Sequence, residues 1–110
     1  MGGEAVEVIS ASPSEVIQMG AKTVAAAGVA EPLTATSTRC YDVLIQCKKT
    51  NTGSIFIGGA GVTNSGSAGI ELLPVSAGVQ PLSIELSAKD LHLVFINATV
   101  NGDGVNFIYW

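Results

Sequence analysis

The sequence predicts an all-β fold, a single antiparallel β-sandwich with an N-terminal arm. Three observations predict it. Apolar residues recur with a period near two in several short runs, turn signals built from Gly, Pro, Asn and Asp separate those runs, and no stretch carries an apolar stripe at helical spacing. Short strands at such spacing form jelly-roll-like or immunoglobulin-like sandwiches, or barrels.

Residues 1–35 read as an arm with the first strands, and residues 36–110 as the sandwich core of the same domain. In the arm, "AVEVIS", "EVIQM" and "KTVAAAG" read as strands. The stretch "SPSEVIQMGAKTVAAA" also resembles a helix start, with Ser12 or Ser14 as cap and Pro13 in the first turn, but Val-Ile and Thr-Val pairs are poor helix formers and Gly20 interrupts the run. In the core segment the runs are "CYDVLIQC", "SIFIGG", "GIELLP", "LSIELS", "LHLVFINA" and "VNFIYW". Between them lie "KKTNTGS", "VSAGVQP" and "NGDG", turn sequences that tolerate positive φ. The more apolar face of each run nominates Val43, Ile45, Ile55, Ile57, Leu82, Ile84, Leu86, Leu93, Phe95 and Phe107 as core. In "SIFIGG" the opposite-facing Phe56 competes with Ile55 and Ile57.

Composition narrows the function classes. The chain has 110 residues, 47% of them apolar and 13% charged, which argues for one core and against disorder. Its net charge is −4 with five basic residues, so no basic face for nucleic acid is expected. No apolar run approaches the ~20 residues that span a bilayer, and "MGGEAVEVIS" lacks the pattern of a secretory signal, so a soluble product of a cytoplasm is expected, with no membrane partner. The start "MGGEAV" departs from a myristoylation signal at Val6.

No motif carries chemistry. In the Gly-rich stretch 53–74, the window "GVTNSGSA" has Ser67 and Ala68 where a phosphate loop needs Lys and Ser or Thr, and "GAGVTN" has Asn64 where a dinucleotide fingerprint needs Gly. A connecting loop is expected there. His92 is the sole histidine, alternates with Leu91 and Leu93, and reads as an exposed or interface strand residue rather than a base held by Asp90. Glu71, Glu85, Asp90 and Asp103 belong to different segments, and "NGDG" reads as a turn rather than a calcium loop. Cys40 and Cys47, on opposite faces of one continuous strand, would be buried thiols that cannot bridge. "NAT" at 97–99 reads as a chance match to a glycosylation site. No catalytic, cofactor-binding or metal residue is nominated, and the expectation is a protein that is not an enzyme. The two ends are apolar where isolated domains tend to be polar. Val6, Val8, Ile9, Tyr109 and Trp110 are therefore the candidates for an interface, with Trp110 facing away from Phe107 and Tyr109.

"TSTRCYDVLIQCKKTNTGSIFIGGAGVT", "GIELLPVSAGVQPLSIEL" and "DLHLVFINATVNGDGVNFIY", taken in series, resemble small β-sandwich structural proteins of tailed bacteriophages. The resemblance covers residues 36–110 and rests on turn chemistry. It implies a virion component assembled in the host cytoplasm, foremost a capsid decoration or cement protein. The implied partners are the major capsid protein or other virion proteins and further copies of itself, with a trimer favoured. The alternative is a fibre, neck or baseplate module, or a host-surface carbohydrate-binding module using loop 58–69 and the terminal aromatics.

Overall fold

Each alternating run of the core segment becomes a strand in the computed structural model, which describes residues 16–76 and 78–110. The strands are β1 (Gln18–Thr23), β2 (Glu31–Pro32), β3 (Val43–Cys47), β4 (Ile55–Gly58), β5 (Ile70–Leu72), β6 (Ser83–Leu86), β7 (Phe95–Ala98) and β8 (Gly104–Tyr109). A 3-10 turn, Leu91–Leu93, precedes β7. The strands form two four-stranded sheets, β1-β8-β3-β6 and β2-β7-β4-β5, and every pairing within them is antiparallel. "AVEVIS" lies outside the described residues. "EVIQM" and "KTVAAAG" merge into the single strand β1, which runs through Gly20 instead of breaking there. Gly20 is opposite Phe107, whose ring occupies its Cβ space, so an added Cβ would lie 2.5 Å from Cζ.

The sheets pack through Val43, Ile45, Cys47, Val105 and Phe107 on one side and Ile55, Ile57, Leu72, Ile96 and Ala98 on the other. Lys22 of β1 and Glu31 of β2 link the two sheets by a 2.9 Å ion pair. The Lys22 contact, reinforced by the amides of Ala25 and Ala26, holds the Glu31 carboxyl below its usual range despite opposing burial.

Three core expectations need correction: Leu82 is 43% exposed, Leu93 67% exposed and Phe95 only half-buried, while Phe56, the competitor of Ile55 and Ile57, is buried along with them. Leu82 lies just before the edge strand β6, whose Ile84 and Leu86 are themselves half-covered. Leu93 sits in the 3-10 turn, where three residues per turn replace alternation, so Leu91, Val94 and Ile96 enter the core instead. The two thiols are also placed differently. β3 begins only at Val43, so Cys40 precedes it, and both sulfurs enter the same core, unbridged. Tyr41, which strict alternation through "CYDVLIQC" would set on the face of Val43, is exposed.

Phe56 is buried because of the Gly-rich loop. Phe56 and its cross-strand neighbour Asn97 point away from the core, and the loop between β4 and β5 folds back over them. Val62 of this loop is buried and its carbonyl accepts from Asn97 Nδ2 at 3.1 Å, while Asn64 Nδ2 donates to Ala98 O at 3.1 Å. Gly69 has φ +112, and a Cβ there would meet Val62 Cγ2 at 2.5 Å. Gly61 has nothing within 4 Å and no positive φ, so of the loop glycines Gly66 and Gly69 carry the unusual backbone.

Ile45→Ala should cost ~2–5 kcal/mol in denaturant unfolding, whereas Leu93→Ala should stay within about 0.5 kcal/mol. By the same measurement Gly69→Ala should destabilise by ~1–3 kcal/mol and Gly61→Ala by less than ~0.5 kcal/mol.

Candidate functional site

The polar residues singled out in the sequence have structural partners. Asp90 caps the 3-10 turn: its carboxylate accepts from Ser37 Oγ, from the Thr38 amide at 2.8 Å and from the His92 amide at 3.0 Å. These bonds, Ser37 first, hold the Asp90 carboxyl at about 2, against an ordinary 3.8. The His92 ring turns to the Thr34 carbonyl, with Nδ1 at 2.8 Å, so Asp90 and His92 meet through backbone rather than as a catalytic pair.

Asp103 is buried and accepts from the amides of Thr52 and Gly53, the latter at 2.7 Å. Beside it Asn51 and Gly104 exchange two hydrogen bonds of 2.8 Å. "KKTNTGS" and "NGDG" are thereby clamped together, and the Asp103 oxygens point at amides. Burial raises both thiols, that of Cys47 to about 11 and that of Cys40 further helped by Asp90 and Asp42. Asn97 is 1% exposed, with its side chain bonded to Val62 and Gly28, which removes it as a glycan acceptor in the folded chain. Glu71 binds Ser54 Oγ at 2.7 Å, and Glu85 lies on the other sheet. Among the described residues no group of three or more His, Cys, Asp or Glu could hold a metal ion, and no helix is long and apolar enough to cross a membrane.

The two outer sheet faces differ. That of β2-β7-β4-β5 is covered over Phe56 and Asn97 by the chain's own loop. That of β1-β8-β3-β6 leaves Met19 and Asn106 exposed and Leu44, Gln46 and Ile108 half-buried, and cross-strand register orders it in rows. One row reads Met19, Ile108, Leu44, Glu85, and the next Ala21, Asn106, Gln46, Ser83. Beyond the first row Trp110 pairs with Asp42 through two backbone hydrogen bonds, and Ser87 Oγ donates to Asp42 at 2.9 Å. Beyond the second, Lys48 reaches past Gly104 to Thr23 Oγ1 at 3.1 Å. A hollow of ≈ 370 Å³ opens where the two rows meet, lined by Met19, Leu44, Ile108, Gln46 and Asn106 among others. Met19 is 81% exposed.

Of the interface candidates, Val6, Val8 and Ile9 lie outside the described residues. Trp110 lies on this outer face by alternation, whereas Tyr109 turns inward, half-buried, with its ring 6.0 Å from that of Phe107. Sequence reading missed Met19, Leu44 and Ile108. Leu44 and Ile108 sit between core residues of the same strand, and apolar side chains on both faces of a strand are the available signal that both faces are to be covered.

No protein-family model matches the chain, and no significant match is found among curated proteins or solved structures.

The Asp90 cap sets a pH dependence. A carboxyl held low when folded favours the native state above its ordinary 3.8 and loses that contribution as pH falls toward about 2. The amide NMR shifts of Thr38 and His92 should titrate together with a midpoint near 2, and in Asp90→Asn that step should vanish.

Proposed function

We propose that this chain is a structural virion protein of a tailed phage, a capsid decoration protein that stabilises the head by binding capsid protein and further copies of itself. The observation that carries the reading is the outer face of β1-β8-β3-β6. Met19, Ile108 and Leu44 lie abreast there with Trp110 beside them, in a chain that covers its other outer face with its own loop. An apolar row that no loop among the described residues covers marks a contact surface. The strand order supports the same reading. Eight strands ordered β1-β8-β3-β6 and β2-β7-β4-β5 place successive strands mostly in alternate sheets, the arrangement of a jelly roll and not of an immunoglobulin sandwich. Jelly rolls build viral capsid proteins and also lectins, so the fold by itself does not choose a function. The resemblance of residues 36–110 to phage sandwich proteins supports a virion role and favours three copies.

Met19→Lys tests the face at little cost to the fold, because so exposed a side chain shifts stability by only ~0.5 kcal/mol or less. Added to phage heads that lack the protein, the parent chain should cosediment with them and raise their resistance to heat. Met19→Lys should melt like the parent and bind heads at least ~10-fold more weakly, because a variant that cannot join further copies loses their shared attachment to the head. Equal binding by the two proteins, or no binding by either, counts against the proposal.

A further inference from the structure

The open face is asymmetric along its strands in both size and charge. One end is bulky and acidic: Trp110, Met19, Ile108 and Leu44, with Asp42 in the outermost row. The other is small and basic: Ala21, Gly104, Asn106 and Gln46, with Lys48 in the outermost row. Along β3 and its two flanking positions the outward residues read Asp42, Leu44, Gln46, Lys48. The hollow lies where bulky and small rows meet.

We infer that this face binds a second copy of the chain, turned about a two-fold axis that lies in the plane of the face, crosses the strands and passes over Ile45. This rests on the self-association proposed above and specifies its geometry. A two-fold contact requires that residue i of one copy meet residue j of the other and the reverse. About this axis β3 lies over β3 of the second copy in the opposite direction. Leu44 meets Gln46, Ile108 meets Asn106, Met19 meets Ala21, and Trp110 lies over the Lys48 side chain beside buried Gly104. Large side chains of each copy then enter the hollow of the other. Asp42 of each copy faces Lys48 of the other, twice per pair. The opposite alignment, with strands parallel, sets Asp42 against Asp42 and bulky rows against bulky rows, and like charges are disfavoured in such contacts. Only the antiparallel alignment is complementary in both respects. A two-fold pair has an even copy number, so a trimeric ring would carry this contact as two stacked rings.

The full chain, followed by sedimentation velocity over micromolar to millimolar concentrations, tests the geometry through a charge swap. Asp42→Lys and Lys48→Asp should each weaken association by ~10-fold or more, and the double variant should return to within ~3-fold of the parent, because close charge pairs across interfaces couple strongly. Thermal melting of each variant confirms that it is folded. If the parent associates and all three variants match it, this face is not the contact, while self-association stands. If the double variant is as weak as the single ones, the two-fold register is wrong. A parent that stays monomeric overturns the pairing; if it still binds phage heads, only the pairing falls.

Discussion

Side chains alternate across a strand, so a sheet has two faces and a sandwich core can bury only one of each. That constraint organises this molecule. The inner faces close on each other through Ile45, Val105 and Phe107 against Ile55, Ile96 and Ala98. Each outer face must then be solvated, covered by loops, or covered by another molecule. The chain uses a different answer for each sheet. Over β2-β7-β4-β5, a loop of small residues lies close enough to bury Phe56 and the Asn97 amide. Over β1-β8-β3-β6 no described loop does the same, and the apolar row of Met19, Ile108 and Leu44 faces outward.

Buried polar groups hold this arrangement in register. An unpaired amide or carboxylate in the interior costs several kcal/mol, so each such group specifies its partner. Asn97 binds the Val62 carbonyl and the Gly28 amide, tying two loops to β7. Asn51 and Asp103 tie the β3–β4 connection to the β7–β8 connection and fix where β8 begins. β8 lies between β1 and β3, so its position sets the register of both neighbours. The rows of the open face are thus aligned by hydrogen bonds at the far end of the strands. The same clamps engage the side chains of "NGDG" and "NAT": Asn101, Asp103 and Thr99 accept from backbone amides, and Asn97 donates to the Val62 carbonyl.

Glycine content, the most conspicuous feature of the sequence, serves close approaches within the fold. In the loop, Gly69 lets the chain turn directly against Val62. In β1, Gly20 yields its side-chain space to the Phe107 ring, which lets a large aromatic fill the core beside an edge strand. Both are close approaches within the fold. The charges that remain unburied are few, and those on the open face are segregated, with Asp42 and Glu85 toward one end and Lys48 at the other.

Alternation over four or five residues is a local property of the chain, so the all-β class, the six strands of residues 40–110 and most of the inner face of β3 and β4 are legible before any folding. The joining of two strands by the Gly-rich stretch is legible too, since the residues a phosphate loop requires are missing. The replacement of Leu93 and Phe95 by Leu91, Val94 and Ile96 is not, because a 3-10 turn shifts the alternation by one residue and nothing in "DLHLVFI" announces the turn except Asp90, whose capping role needs Ser37 and Thr38 from a distant segment. Long-range packing likewise makes Phe56 fully covered and Leu44 only half-covered. Both are apolar residues on the minor face of a strand. What separates them is whether a loop from elsewhere folds over that face, a long-range contact that local pattern does not encode.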